Sequence, residues 1–410
     1  MEQAVKLTND ELKIEPKTIQ LNPPPNDSDP LLPAKNYLNE NFDFRLNEIT
    51  QRVIFKREDE SEYQILTDFL RNTIYLELKG SGKKINSDDL NKLLYSDFIK
   101  LINPLKEFIK EVSKSIDDID FIKQISDTVT VENDKNWHEY FKKWFVAMVA
   151  NVFDQAKNTN HTCLVLSGEQ GTFKTTWLEA LVPPEIKAYR YTGQIKPDNK
   201  DTLKQLALRL LIIIDDQLHK LNKTNQDDLK FLITLHPVTY RGLFKEFDYD
   251  CPRLASFCGS VNGREFLTDI TGSRRFLSFY VENIDIESLS NIDVKKAYGQ
   301  AYKLYLEGFR YWFDSDEVKL INVENEDYTI APIEQELIEK YFDLTNPKNE
   351  TYSSTEIKTI LESFTKDRLS VNKIGAVMGK LKIERKSIKL SNGNIRKKYG
   401  ITYSNPETQN

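Results

Sequence analysis

The stretch Cys163-Leu-Val-Leu-Ser-Gly168-Glu169-Gln170-Gly171-Thr172-Phe173-Lys174-Thr175-Thr176-Trp177 carries the residue types that handle phosphate. A short apolar run predicts a buried strand, a glycine-bearing turn follows, and Lys-Thr-Thr opens a helix. That order is the one a phosphate-binding loop needs, because backbone N–H groups of the turn and helix start then point at the phosphates. In this reading Gly168 through Thr176 cradle ATP. Lys174 supplies a point charge for the β- and γ-phosphates, and the Thr175 hydroxyl is a ligand for Mg2+. One position departs from the usual pattern. Phe173 stands where a second glycine is expected, so the backbone there must tolerate a Cβ.

Four further stretches could act with that loop. Leu208-Arg-Leu-Leu-Ile-Ile-Ile-Asp215-Asp216 reads as an apolar strand ending in two carboxylates. Asp215 would hold Mg2+ through water, and Asp216 would orient or deprotonate the attacking water, a task more often given to Glu. Arg253-Leu-Ala-Ser-Phe-Cys-Gly-Ser-Val-Asn262-Gly ends a strand in an amide that can reach a γ-phosphate; Asn262-Gly263 also suits a plain turn. Phe266-Leu-Thr-Asp269-Ile-Thr-Gly272-Ser-Arg274-Arg275-Phe276 places two arginines just before a strand. In a ring, either could reach a neighbour's nucleotide and stabilise transition-state charge; a solvated basic pair is the simpler alternative. His236-Pro-Val-Thr-Tyr240-Arg241-Gly-Leu-Phe-Lys245 could form a hairpin that stacks on and tracks single-stranded DNA, or simply pack.

The elements that must position these groups follow from periodicity. Strands are predicted at 162–167, 188–192, 209–215, 254–261 and 276–281, with helices at about 174–182, 198–207 and 226–235. Alternation of this kind implies a parallel α/β sheet covered on both faces. From Asp134 to Ala156 aromatic residues recur at three and four, a stripe that reads as core. Around this central domain (130–310) the chain divides into a polar, proline-bearing tail (1–33), a helical N-terminal domain (34–129) that opens with a hairpin, an acidic linker (311–335) and a C-terminal module (336–410). In that last module, helices at Ile333–Phe342, at Ser353-Ser-Thr-Glu356 and at 370–381 precede a hairpin turning at Ser391-Asn-Gly-Asn394. This is the order of a winged helix. Lys373, Lys380, Arg396, Lys397 and Lys398 make it basic and suggest duplex DNA contact; a solvated basic surface is the alternative.

The 410 residues carry a net charge of -6, 39% hydrophobic and 29% charged residues. That excludes a globally basic nucleic-acid coat but not a local basic patch. Three cysteines without CxxC spacing and four scattered histidines suggest neither a disulfide framework nor a zinc site. No apolar run approaches the ~18 residues a membrane helix needs, and no signal peptide opens the chain, so a cytoplasmic protein is expected.

Taken in order, Gly168-x-x-Gly171-x-x-Lys174-Thr175, Ile214-Asp215-Asp216, Tyr240-Arg241, Arg253-Leu-Ala-Ser-Phe-x-Gly-Ser-x-Asn262 and Phe266-Leu-x-Asp269-x-Thr-Gly272-x-Arg274-Arg275-Phe276 resemble the virulence-associated E family over about residues 34–310. Its members are P-loop ATPases of phages and mobile elements, similar to superfamily-three helicases with an AAA+ core. The resemblance implies ATP-driven unwinding or translocation on DNA by a homo-oligomeric, hexameric ring, with any primase a separate protein. The departures at Phe173 and Asp216 bear on turnover more than on binding. A nucleotide-gated DNA-binding or assembly protein, serving an origin or phage defence, is the rival expectation.

Overall fold

The computed structural model describes residues 29–115, 117–133, 135–154, 160–196, 199–215, 218, 223–240, 249–268, 272–344, 351–389 and 395–404. The chain falls into two compact units, Met1–Glu107 and Phe108–Asn410. The first therefore closes earlier than the predicted boundary at 129.

In the first unit the order is α1 (Leu32–Asn41), β1 (Phe42–Asn47), β2 (Arg52–Arg57), β3 (Gln64–Ile65), α2 (Asp68–Gly80), α3 (Ser87–Leu94) and β4 (Lys100–Ile102); the division falls inside α4 (Pro104–Ser113). β1 and β2 form the expected hairpin, with Phe44 opposite Phe55. Phe42, Phe44 and Phe55 turn one face inward onto Leu38, Ile74, Leu78 and Leu90 of the three helices. The sheet runs β3-β2-β1-β4.

The second unit continues with α5 (Phe121–Asp127), β5 (Val129–Val131), α6 (Trp137–Phe153), β6 (Cys163–Gly168), α7 (Lys174–Ala180), β7 (Arg190–Thr192), α8 (Lys200–Leu208), β8 (Leu211–Asp215), α9 (Lys223–Thr234), β9 (Val238–Tyr240), β10 (Tyr249–Cys251), β11 (Ser256–Asn262) and β12 (Phe276–Ile284). Its main sheet runs β5-β12-β6-β11-β8-β7. Every pairing from β12 to β7 is parallel, and only β5 is antiparallel to its neighbour. The strands are apolar without alternation because both faces are covered. Cys163, Val165, Ile212 and Ile214 face α8 and α9 residues such as Leu206, Leu229 and Ile233. On the other face Phe279 packs edge-on against Trp137 of α6, 4.9 Å between ring centres. The aromatic stripe is thus core, as its spacing predicts. Trp144 also donates to the Phe257 carbonyl of β11, and Trp177 of α7 donates to the Thr128 hydroxyl.

The chain then forms α10 (Ile286–Ser290), α11 (Val294–Leu306) and α12 (Ser315–Glu324). The stretch expected as an acidic linker is therefore largely helical. Asp314 caps α12 reciprocally with Glu317, so acids that read as solvated polarity in sequence form a capping box. The C-terminal elements are α13 (Ile333–Tyr341), β13 (Phe342–Asp343), β14 (Thr351–Tyr352), α14 (Ser354–Leu361), α15 (Val371–Lys380), β15 (Arg385–Lys389), β16 (Ile395–Gly400) and β17 (Thr402–Tyr403). Three helices and an antiparallel β15–β16 hairpin pack on Ile338, Ile357, Leu361, Ile374 and Met378. Ser353 and Glu356 form the predicted capping box of α14. Among the described residues no helix is long and apolar enough to cross a membrane.

Candidate nucleotide site

Parallel pairing puts the carboxyl ends of β6, β11 and β8 on one side of the sheet, the side on which open α/β sheets take ligands. β11 lies between the other two, with Asn262 in register with Gly168 and Ser260 in register with Asp215. The glycine loop must therefore reach across one intervening strand, about 9.5 Å from β6 to β8.

The loop starts at a tightly enclosed glycine. A Cβ on Gly168, which has φ 142°, would sit 2.7 Å from the Val281 carbonyl oxygen. Two backbone hydrogen bonds, from the Gly168 N–H to the Gly263 carbonyl (3.2 Å) and back from Gly263 (3.1 Å), pin it to the end of β11. The Lys174 ammonium folds into its own loop, donating to the carbonyls of Gly168 (3.0 Å) and Glu169 (2.6 Å) and to the Thr172 hydroxyl (3.1 Å). Thr172 donates in turn to the Glu169 carbonyl. Glu169, Gln170, Gly171 and Thr176 are exposed at the mouth. Phe173 takes the left-handed conformation that the motif's glycine would supply, φ 60° and ψ 18°, and its ring is 57% exposed. The cost of that backbone is about 1–2 kcal/mol for an L-residue.

Across β11, the Thr175 hydroxyl donates to Asp215 Oδ1 at 2.7 Å. Ser260 donates to the same oxygen at 2.5 Å and lies 3.0 Å from Thr175 Oγ1. Loop hydroxyl and acidic strand end thus meet, as their interval in the sequence predicts. Mg2+ takes oxygen ligands and is commonly held by one or two carboxylates plus substrate phosphates, without a full protein cage. The Thr175–Asp215 pair fits that donor set, and among the described residues no group of three His, Cys, Asp or Glu side chains offers another. Ser260 is absent from the sequence-based site. It stands in the Gly-Ser-Val-Asn262 run, but its register with Asp215 follows only from the strand order. Asn262 is exposed at the end of β11, beside the loop; Asp216 lies outside the described residues.

Arg274 and Arg275 form a short 3-10 turn before β12. Phe276 is in register with Cys163, the first residue of β6. The arginines therefore sit at the opposite end of the sheet from the loop, about 17 Å along a six-residue strand, and do not meet Thr175 or Asp215. Arg274 is exposed and Arg275 half-buried. Burial, then the charge of Arg274, pulls the Arg275 pKa below its usual value. Their turn is held from outside. Asn325, itself buried, donates to the carbonyls of Ser273 (2.8 Å) and Phe276 (2.9 Å). Arg253, buried at the start of β11, donates to the Asn160 carbonyl at 2.6 Å and lies 5.7 Å from the centre of the Phe257 ring. Burial pushes its pKa down to about 9, so it stays charged at neutral pH.

β9 and β10 pair antiparallel, Tyr240 opposite Tyr249, which gives the base of the expected hairpin. Arg241 and Lys245 lie outside the described residues. In the C-terminal part Lys373, Lys380, Arg396 and Lys397 are exposed. Lys398 is not a free basic group. It pairs with Glu356 at 2.9 Å and anchors the hairpin to α14.

A search of curated protein sequences finds no match. Among solved structures, the apo NrS-1 C terminal region (305-718) aligns at a TM-score of 0.46 and 14% identity, over 92% of this chain and 100% of that one. An A form apo structure of the same region gives 0.44 and 14%, over 91% and 100%. The sequence profile of the Virulence-associated protein E-like domain matches residues 109–330, from α4 to the turn after α12 and so across the whole main sheet. With more than half of its length in that match, the chain belongs to the virulence-associated protein E-like family.

Proposed function

We propose that this protein is an ATP-dependent DNA helicase or translocase serving replication of a phage or mobile genetic element. The observation that carries the reading is the 2.7 Å contact between Thr175 of the glycine loop and Asp215 at the end of β8. A phosphate loop and a metal-holding carboxylate acting together need that proximity, and it supports a core of the AAA+ type. Gly168 to Thr176 bind the triphosphate of ATP through backbone N–H groups, and Lys174 neutralises the β- and γ-oxygens. Thr175 and Asp215 hold Mg2+, which when bound offsets negative charge on those oxygens. Asp216 and Asn262 orient the attacking water. Arg274 and Arg275, remote from their own loop, act on the nucleotide of the next subunit in a hexameric ring, a heterologous contact that closes. Tyr240, Arg241 and Lys245 track single-stranded DNA, and the C-terminal winged helix holds duplex through Lys373, Lys380, Arg396 and Lys397.

DNA-stimulated ATP hydrolysis tests this directly. Lys174→Ala is expected to lower turnover by at least about 100-fold, the scale of losing a charge stabiliser. Unchanged hydrolysis removes the site. Mixing Lys174→Ala with Arg274→Ala/Arg275→Ala chains should restore part of the activity, and no recovery at any ratio rejects action between subunits. ATP turnover without strand displacement would instead fit a nucleotide-gated assembly protein.

A further inference from the structure

We infer that Ser260 is a positioning residue of the metal seat; this rests on the ATP-binding reading above. Ser260 is 4% exposed at the end of the middle strand, where a serine could satisfy its hydroxyl on a backbone carbonyl. Instead it donates to Asp215 Oδ1 at 2.5 Å. The acceptor is a carboxylate oxygen, and hydrogen bonds to carboxylates are shorter than those between neutral groups. Thr175 reaches the same oxygen at 2.7 Å, and the two hydroxyl oxygens are 3.0 Å apart.

The geometry gives that bond a purpose. Mg2+ keeps several waters, so a carboxylate can hold it through a bound water while a hydroxyl ligates it directly. With Thr175 Oγ1 and Asp215 Oδ1 2.7 Å apart, both would stand beside such an ion. Asp215 ends β8, and its carboxylate is half free to turn toward solvent, because the residue is exposed. Ser260, on the neighbouring strand and in register with it, fixes which oxygen faces Thr175. Without that hydroxyl the carboxylate can rotate and the pair opens. The hydrogen bonds within the loop among Gly168, Glu169, Thr172 and Lys174 do not involve Ser260, which touches the loop at Thr175.

The test is titration of a fluorescent ATP analogue into the full chain, in Mg2+ and again in EDTA. In Ser260→Ala the tightening produced by Mg2+ should fall about 10-fold, the lower end of losses seen when a group orienting a metal ligand is removed. Affinity in EDTA should stay at the wild-type value. Ser260→Thr, which keeps the hydroxyl, should restore the Mg2+ effect, while Ser260→Cys, close in shape but a weak donor, should behave like Ala and covers the case where Ala perturbs folding. Wild-type Mg2+ dependence in both Ala and Cys variants overturns the proposal and leaves the loop reading standing. Equal loss in Mg2+ and EDTA also overturns it, since that is the result of a merely structural role. A wild-type chain that binds the analogue in neither buffer overturns the loop reading and Ser260 with it.

Discussion

Two residues of the loop carry opposite lessons about backbone. Gly168 is a glycine by necessity, because a Cβ there would meet the Val281 carbonyl oxygen at 2.7 Å. Gly168→Ala must therefore shift β12 or the loop. A loss of about 1–3 kcal/mol is expected, the usual range for strain at such a position, read by denaturant unfolding of the full chain. Nucleotide affinity should fall with it; an alanine variant as stable and as tight as wild type would contradict the tight-packing account. Phe173 keeps a glycine-like conformation without being glycine, and its ring lies in solvent. The sequence departure there is met by a left-handed backbone that an L-residue adopts at a cost. Residue types and spacing point to Lys174, Thr175 and Asp215 as one cluster, and the fold brings Thr175 to Asp215. They could not point to Ser260, whose hydroxyl reaches Asp215 only because strand order puts β11 between the loop and the acid.

At the scale of elements, periodicity located the strands and the aromatic helix because both are buried on wide apolar faces. It failed between 311 and 335, where charged residues read as linker. There the physics is local. Asp314 and Glu317 cap α12, and the turn after it offers Asn325 to the arginine turn. Asn325→Ala leaves the buried carbonyls of Ser273 and Phe276 without that donor, at a cost of about 1–3 kcal/mol. Thermal melting should drop accordingly, and no change would mean the turn is held by something else. In the C-terminal helices, Glu356 is held down at about pKa 2. Burial acts to raise it but is outweighed by the Ser353 N–H and by Lys398. A depressed carboxylate stabilises above its unfolded pKa, near 4.5, and that contribution is lost as pH falls from there toward 2. With the side chain 41% exposed, solvent screening leaves about 1 kcal/mol. Amide protection of α14 should weaken over that window in wild type. Glu356→Gln should start weaker and stay flat, and an equal acid response in the variant would reject the pairing.

For the whole molecule, the arrangement of ends decides the reading. The loop, the acid and Asn262 share one side of the parallel sheet, while Arg274 and Arg275 sit at the other. The proposed phosphate site thus stands at one end of the sheet and Arg274 and Arg275 at the other, a division that a head-to-tail ring would use. The division at Glu107 falls inside α4, where no break in composition marks it in the sequence. The most direct measurement is a crystal structure of the protein with a non-hydrolysable ATP analogue and Mn2+, the metal located by its anomalous scattering. The account predicts a metal peak within ligand distance of Thr175 Oγ1, facing Asp215, with phosphates wrapped by Gly168 to Thr176. A triphosphate bound elsewhere, or a metal remote from both oxygens, would contradict it.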